Sequence, residues 1–494
     1  MAGTMAFGRQ TTASGGHMKL AARWLSDEER LLLIDEAYGL LERVGMKFGA
    51  GKALGLLAAA GADVDRDTGV ARLPRQLVAE ALGHCRRDVL LAGATPDDDV
   101  LLDGARAHFV PSGAPTHVLD MDTGEHRAST LEDQRRSAIV ADAMPVVDVM
   151  WMLVSATDAP ERERLFRGYD TSLCWSDKHV QDEVTDLRQV EVLMRMMEVV
   201  CGGLEEFRRR PRASVVCCTS SPLAVGTDLL DASVEVARYG MPVVIYPMPI
   251  AGGTAPVTVA GTVAMNVAEF LGANVPFQLA APGAPVIMGG GATLLDMKSG
   301  TFAFGAVESA LMVAACAEVA RELGVPVLCP GLASDAKYAG AQAGYEKALK
   351  GLVTVSAGAD LVTGGIGLLS GAGLMSLPQI VIDAEIAEMI LRLVAGAEFA
   401  PATIMAEAIA RVGFAGNYLR EKETSRRLRA GEVFQPSIST RLSIEGWRAR
   451  GRTEVDDAAE RVRAILAEAD ARGPKLAGDK ADALDAIIRD AAGA

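Results

Sequence analysis

Short β-rich runs alternate with helix-length stretches from about residue 131 onward, and this alternation constrains the fold more than any other feature of the chain. Six apolar runs predict strands at 146–153, 213–218, 242–246, 284–288, 326–329 and 361–363, with weaker candidates near Leu173 and Phe277. Helices are predicted over 183–199, 223–237, 257–271, 305–323, 341–356 and 380–393. Strands separated by helices form βα units around a parallel sheet.

Eight βα units close a barrel, so we expect an α/β fold with a (β/α)8 TIM barrel over residues 131–425. The alternative is a doubly wound open sheet, which normally carries a glycine-rich nucleotide fingerprint after its first strand. No GxGxxG or Walker A run occurs there. The barrel is therefore the favoured fold.

The segments on either side of the barrel have their own signals. Ser26 and Glu29 match a capping box, and apolar residues at helical spacing continue from there to Gly45. Turn signals at 67–69 and 122–124 predict two hairpins. We expect an N-terminal α+β cap over 23–130, preceded by a disordered leader or tag at 1–22. A helical C-terminal segment at 426–494 is expected to serve packing or assembly into a homo-oligomer.

Charge and composition exclude several classes of function. The chain has 49 Lys and Arg against 64 Asp and Glu, a formal charge of -15, which disfavours binding to nucleic acid. Its seven cysteines form no CxxC pair and its six histidines have no paired ligand spacing, so neither disulfides nor a metal site are expected. Glu269 is the only charged residue between Arg238 and Asp296, but prolines interrupt every window of membrane-spanning length. We expect a cytoplasmic protein that does not enter a membrane.

Barrel enzymes carry their chemistry at the carboxyl ends of the strands, which makes three loops the candidates for a site. Residues 246–258 are polar and glycine-rich, and residues 363–373 are uncharged and dense in glycine. Residues 331–346 combine acid, base, amide and phenol side chains directly after an apolar strand. Each loop has packing as its alternative role, and Ser334 with Asp335 has helix capping as another.

An ordered set of short motifs extends over nearly the whole chain. The segments are Leu25-Ser-Asp-Glu-Glu29, Leu41-Glu-Arg-Val-Gly45, Ser221-Pro-Leu223, Ala251-Gly-Gly-Thr-Ala-Pro-Val-Thr258, Pro282-Gly-Ala-Pro285, Ser334-Asp-Ala-Lys337, Gln342-Ala-Gly-Tyr-Glu346, Asp383-Ala-Glu-Ile386 and Trp447-Arg-Ala-Arg-Gly451. In this set the sequence resembles the trimethylamine methyltransferase family, including members without pyrrolysine such as glycine betaine:corrinoid methyltransferases.

The resemblance implies transfer of a methyl group from a small methylated amine to the cob(I)amide of a separate corrinoid protein. The chain has no complete DxHxxG corrinoid-binding signature, because Asp177-Lys178-His179 begins it but Asp182 occupies the glycine position. The corrinoid is therefore expected to arrive on a partner, with no cofactor bound by this chain. Every position holds a standard residue, which favours a quaternary amine such as glycine betaine over trimethylamine.

Site residues are assigned from the resemblance together with loop position. Asp335, Glu346 and Tyr345 are the expected catalytic residues. A quaternary ammonium has no N–H, so aromatic faces and carboxylates must recognise it. The expected substrate-binding residues are Tyr246, Thr254, Lys337, Tyr338 and Gln342. The glycines expected to face the corrinoid are Gly289, Gly290, Gly364, Gly365 and Gly367.

Two other functions stay open at this point. The first is a corrinoid methyltransferase for another substrate, such as trimethylamine, proline betaine, carnitine or a sulfonium. The second is a noncatalytic barrel that binds a betaine or a methylamine and has lost corrinoid docking.

Overall fold

Eight parallel strands form the central sheet of the computed structural model, which describes residues 20–113 and 115–493. They are β1 (His108–Phe109), β2 (Val149–Trp151), β3 (His179–Glu183), β4 (Ala213–Cys218), β5 (Val243–Tyr246), β6 (Val286–Gly289), β7 (Val327–Pro330) and β8 (Leu361–Thr363). Each strand pairs with the next one in the chain from β2 to β8, and β8 pairs with β1. A parallel bridge between Phe109 and Val147 joins β1 to the start of β2, which closes the barrel.

One long helix follows each strand. They are α1 (Leu131–Asp142), α2 (Glu161–Trp175), α3 (Leu187–Cys201), α4 (Thr227–Arg238), α5 (Val259–Ala280), α6 (Val307–Glu322), α7 (Ala341–Ser356) and α8 (Leu377–Val394), with a short helix Leu204–Arg209 after α3. Strands and helices alternate eight times around a closed parallel sheet. The (β/α)8 TIM barrel predicted from the sequence is therefore confirmed.

The six confident strand predictions all match strands of the barrel, and 213–218 and 361–363 match residue for residue. The two weaker predictions were wrong, because Leu173 lies in α2 and Phe277 lies in α5. β1 and β3 were missed since both are rich in polar residues. Inside the barrel, His179 Nε2 lies 2.9 Å from Ser214 Oγ, and that hydroxyl donates to Gln181 Oε1 at 3.3 Å. A hydrogen-bonded interior makes polar strands possible where an apolar pattern is absent.

The sheet begins at His108, upstream of the boundary expected near residue 130. Before it, helices Asp27–Arg43, Lys52–Ala59 and Arg75–Gly83 pack on α5 beside a small sheet of Met46–Lys47, Asp63–Asp65 and Val70–Arg72. The capping box of Ser26 and Glu29 is present, as is the hairpin predicted around 67–69. The leader expected at 1–22 lies outside the described residues up to residue 19.

A hairpin closes one end of the barrel. Strands Val89–Leu91 and Val100–Leu102, joined through the short helix Pro96–Asp98, place their apolar side chains in a cluster with inward-directed barrel residues. The amide of Ala92 donates to the Pro211 carbonyl and that of Ala94 to the Asp177 carbonyl, just before β4 and β3 begin. The hairpin therefore covers the amino ends of the strands, and the interior is reached from their carboxyl ends.

Short strands at the carboxyl ends shape the opening. The hairpin predicted around 122–124 is present as His117–Leu119 and His126–Ala128, and it joins Leu368–Leu369 and Leu374–Met375 in a four-stranded sheet. Ile250–Ala251, Thr293–Asp296 and Thr301–Phe302 form a second small sheet after β5 and β6. The opening is thus built from several βα loops that are themselves folded.

The C-terminal segment divides into two parts. Helices Pro401–Ile404, Ala406–Val412, Lys422–Arg429 and Ile444–Arg450 bury very few side chains against the barrel. Helix Glu454–Arg472 packs on α8 and α1, and helix Gly478–Gly493 packs on α2 and α3. None of the helices among residues 20–113 and 115–493 is both long and apolar enough to cross a membrane.

A buried lysine holds the loop after β8. Lys347, on α7, donates to the carbonyls of Gly365 (2.6 Å) and Leu368 (2.8 Å) and to the carboxylate of Asp383 (2.7 Å). Asp383, on α8, also accepts from the amide of Gly367 at 2.8 Å. Neither charged side chain has any exposed surface. The shape of this loop therefore depends on one fully buried ion pair.

A second buried lysine, one turn further along α7, holds the loop after β6. Lys350 donates to the Phe304 carbonyl and to the Ser309 hydroxyl, both at 2.8 Å. Burial lowers the pKa of Lys350 to about 7. Helix α7 thus anchors the loops after β6 and β8, which are the strands on either side of β7 in the barrel.

Replacing Lys347 with methionine should reduce the free energy of unfolding by about 3–5 kcal/mol, because Asp383 would stay buried without its charged partner. Urea denaturation followed by tryptophan fluorescence measures the change. Lys52→Met is the matched control at an exposed lysine, where a change within about 0.5 kcal/mol is expected. Equal denaturation midpoints for the two variants would contradict a stabilising role for the buried pair.

Candidate active site

Four consecutive strands end in side chains that project into the barrel interior. They are Trp151 on β2, Glu183 on β3, Cys218 on β4 and Tyr246 on β5. Side chains two positions apart share a face of a strand. The preceding residues on that face, such as Val149, Val216 and Val244, belong to the interior cluster, and Trp151, Cys218 and Tyr246 pack against it. These four side chains form one wall at the open end of the barrel, which we call the recess wall.

Glu183 is the unusual member of the recess wall. Its side chain is accessible to solvent, yet burial by the surrounding protein raises its pKa. Both observations hold for a carboxylate that lines an open recess rather than a flat surface. Among the described residues, no group donates a hydrogen bond to its carboxylate oxygens, so this acid is available to a ligand.

The negative charge of Glu183 contributes to raised pKa values of two neighbouring groups. The pKa of the adjacent Asp182 is raised to about 8, first by burial and then by the negative charge of Glu183. The pKa of the Cys218 thiol is raised by burial and by the same charge. Burial thus disfavours the charged form of Asp182, whose side chain lies on the other face of β3 from Glu183.

Tyr246 is fixed by glycines on the next strand. A Cβ at Gly289 would lie 2.2 Å from Cδ2 of the ring, and one at Gly291 would lie 3.1 Å from its Cζ. Only glycine leaves room for the ring at these positions. The phenol ring therefore has a defined orientation at the edge of the recess.

Two buried polar atoms directed into the barrel lack a partner among the described residues. They are the Nε2 of Gln181, which lies two positions before Glu183 on the same face of β3, and the hydroxyl of Thr363 at the end of β8. An unsatisfied buried polar group costs about 1–3 kcal/mol. These atoms can form hydrogen bonds to a bound molecule or to water.

Asp335 and Glu346, the predicted catalytic acids, lie together after β7. Asp335 accepts from the amides of Phe304 (3.1 Å) and Gly305 (2.9 Å). Glu346 accepts from the Ser334 hydroxyl at 2.7 Å, the Asp335 amide at 2.9 Å and the Gln342 amide group at 2.9 Å. Both carboxylates are occupied by contacts within the chain, which join the loops after β6 and β7. Their catalytic role stays a prediction.

The predicted substrate-binding residues divide between the recess and the loops. Tyr246 belongs to the recess wall. Tyr338 and Tyr345 are largely exposed, as is Lys337, whose amine donates to the Asp335 carbonyl at 2.8 Å. The hydroxyl of Thr254 accepts from the Ile250 amide and stabilises its own turn.

The glycines predicted to face a corrinoid have other physical explanations. A Cβ at Gly290 would meet Cys329 and Cys316, one at Gly364 would meet Pro330, and one at Gly365 would lie 1.7 Å from the Leu332 carbonyl oxygen. Gly367 has a positive φ of 78° and faces Ile380, and Gly289 faces Tyr246. Packing within the protein alone requires glycine at these five positions.

The sequence analysis missed Trp151, Glu183 and Cys218 as site residues. Cys218 ends a strand predicted over 213–218, so strand position was enough to nominate it, whereas the strand predicted over 146–153 runs two residues past Trp151. Glu183 was missed because β3 was not predicted and residue 183 was assigned to the start of a helix. No group of three or more potential metal ligands occurs among residues 20–113 and 115–493.

Comparisons with known proteins agree on one family. The model of the family described as trimethylamine methyltransferase matches residues 10–492. Trimethylamine methyltransferase MttB of Desulfitobacterium hafniense is 32% identical over 426 residues, covering 86% of this chain and 85% of that protein. A glycine betaine methyltransferase of the same species is 27% identical over 424 residues, covering 86% and 88%.

Among solved structures, one described as the hydroxylamine complex of MtmB is 13% identical, covers 90% of this chain and 96% of its own, and has a TM-score of 0.49. The family match extends over both the barrel and the segments on either side of it. The chain belongs to the trimethylamine methyltransferase family.

Proposed function

We propose that this protein is a methyltransferase that moves a methyl group from a small quaternary amine, such as glycine betaine, to the cob(I)amide of a separate corrinoid protein. The observation that carries the proposal is the accessible, unpaired carboxylate of Glu183 between the aromatic side chains of Trp151 and Tyr246. Family membership supports methyl transfer, and the recess supports a cationic substrate.

A quaternary ammonium is recognised by charge and by aromatic faces, because it has no N–H to donate. The recess wall supplies one carboxylate, an indole and a phenol, and none of its four residues is basic. The unpartnered Gln181 Nε2 and the Thr363 hydroxyl offer hydrogen bonds to an oxygen of the substrate. A small onium compound with a polar substituent fits this set of groups.

Delivery of the corrinoid by a partner is supported by the state of His179, the histidine of the incomplete DxHxxG run. Its Nδ1 lies 3.2 Å from the Ala92 carbonyl and its Nε2 lies 2.9 Å from Ser214 Oγ. Burial lowers its pKa to about 3. Both ring nitrogens are engaged deep in the barrel, so this histidine is not available to coordinate cobalt.

Positioning is the contribution that these residues can make to the reaction. A reduced corrinoid on the partner would supply the nucleophile that forms the new bond to the methyl carbon, while the amine held by this chain would leave with the electron pair of the C–N bond. The positive charge of the substrate disappears during transfer, so Glu183 favours binding of the substrate more than the transition state. The recess orients the methyl group toward the open end of the barrel.

Assembly and location are part of the proposal. The segment after α8 exposes large apolar side chains that the barrel does not cover, which supports a homo-oligomer; they are Phe399, Ile404, Ile409, Phe414, Leu419 and Leu428. All seven cysteines are free thiols, which supports a cytoplasmic location.

A direct assay separates this proposal from a noncatalytic binder. Purified protein is mixed with chemically reduced cob(I)alamin and one substrate from a panel of glycine betaine, proline betaine, carnitine, trimethylamine and a sulfonium, and methylation is followed by absorbance. We expect turnover with a quaternary amine. Calorimetric binding of a betaine without methylation of free cob(I)alamin or of any corrinoid protein would favour the binder instead.

Substitution of Glu183 by glutamine should raise KM for the quaternary amine by roughly 10–100-fold, since about 1.4–2.8 kcal/mol of charge attraction is lost. The kcat should rise by a smaller factor rather than fall, because the attraction is weaker in the transition state than in the bound substrate. Steady-state kinetics measure both constants. Glu191→Gln, at an exposed position on α3, is the matched control and should leave KM unchanged. An unaltered KM in Glu183→Gln would contradict the cation site.

The affinity for the quaternary amine should fall in acid. Binding requires the charged carboxylate, and burial raises the pKa of Glu183 above its ordinary value of 4.5. KM should therefore rise as the pH falls through this raised pKa, and Glu183→Gln should show no such rise. Measurement of KM from pH 4.5 to 9 tests both statements. An acid limb that persists in Glu183→Gln would assign the titration to another group.

A further inference from the structure

Large exposed apolar side chains are concentrated on three neighbouring loops of the barrel opening. The loops follow β5, β6 and β7, and the side chains, with their exposed fractions, are Val257 (72%), Met297 (65%), Phe302 (51%), Tyr338 (70%) and Tyr345 (62%), the last at the start of α7. We call this set the apolar rim. Contiguous exposed apolar surface bordered by polar residues marks sites of interaction.

Contacts between the loops make the apolar rim one surface. A Cβ on Gly252 would lie 2.4 Å from the methyl carbon of Met297 and 3.7 Å from Val257, so these side chains meet over one turn. The Asp335 carboxylate binds the amides of Phe304 and Gly305, which joins the loop after β6 to the loop after β7. The rim is held in place by the same hydrogen bonds that occupy Asp335.

The rest of the opening is different. Among the described residues between Leu101 and Met248, no large apolar side chain is exposed, and this stretch contains the loops after β1, β2, β3 and β4. The apolar surface is therefore restricted to one side of the opening, across from Glu183 on β3. A general tendency of barrel loops to expose apolar residues would have affected both sides.

Charge does not explain the rim. Lys298 and Lys337 are matched by Asp296 and Asp335 in the same loops. Balanced charge leaves apolar contact as the main source of affinity for a partner. The partner surface that fits is a protein surface with apolar character.

We propose that the apolar rim is the docking surface for the corrinoid protein that accepts the methyl group, an inference that rests on the proposed function. The hairpin at 89–102 closes the other end of the barrel, so a methyl acceptor must approach from the side of the opening. A second copy of the chain seated permanently on the rim would obstruct that approach. The rim lies beside the recess and leaves the Glu183 side of the opening free for the small substrate.

The test compares two acceptors for the same methyl group. A Met297→Glu/Phe302→Glu double variant should raise KM for the corrinoid protein that gives the highest turnover with the wild type by at least 10-fold. Its rate with free cob(I)alamin should stay within 2-fold of the wild type, because the recess is untouched. Leu101→Glu, at an exposed leucine of the hairpin that closes the other end of the barrel, is the control and should leave both rates unchanged.

Several outcomes would overturn the docking surface. They are an unchanged KM for the corrinoid protein, an equal loss with both acceptors, and a change of oligomeric state of the double variant in sedimentation, which would assign the rim to contacts between copies. Failure of the wild type with both acceptors would overturn the proposed methyl transfer itself. The assay with free cob(I)alamin thus distinguishes a wrong docking surface from a wrong reaction.

Discussion

The buried ion pair of Lys347 and Asp383 is the interaction on which the open end of the barrel depends. It fixes the loop after β8 through the carbonyls of Gly365 and Leu368 and the amide of Gly367. Lys350 holds the loop after β6 from the same helix. Because buried charges are costly without partners, these contacts permit few alternative arrangements of the loops. The opening is therefore rigid on the side that carries the glycine-rich loop and the apolar rim.

The two sides of the opening therefore present different kinds of surface. The side formed by β2 to β5 presents side chains with chemistry, including Glu183 and Tyr246, on short strand ends. The loops after β5 to β8 are longer and folded on one another, and internal hydrogen bonds occupy their polar groups. A small cation needs the first kind of surface, and a macromolecular acceptor needs the second kind. The proposed substrate site and the proposed docking surface are thus built from different residues.

The sequence predicted the barrel well because apolar strands and amphipathic helices follow from the hydrophobic pattern alone. It failed at β3, where His179 and Gln181 point into a hydrogen-bonded interior that no local pattern indicates. That one missed strand also concealed Glu183, since its position at a strand end becomes visible only when the strand is known. Tyr246 was found because its strand is apolar up to the last residue. A strand with a polar interior face is therefore missed by the hydrophobic pattern, and the functional residue at its end is missed with it.

The loop after β7 shows the opposite case. Asp335, Glu346 and Gln342 form a dense group of reactive side chains in the sequence, and density of this kind suggests catalysis. In the structure their polar atoms satisfy one another and the neighbouring amides, which is how a long loop without a core of its own is held. Glu183 has no such hydrogen-bonded partner among the described residues. A carboxylate that a fold leaves partly desolvated and unpaired costs stability, and a bound cation is the partner that would offset that cost.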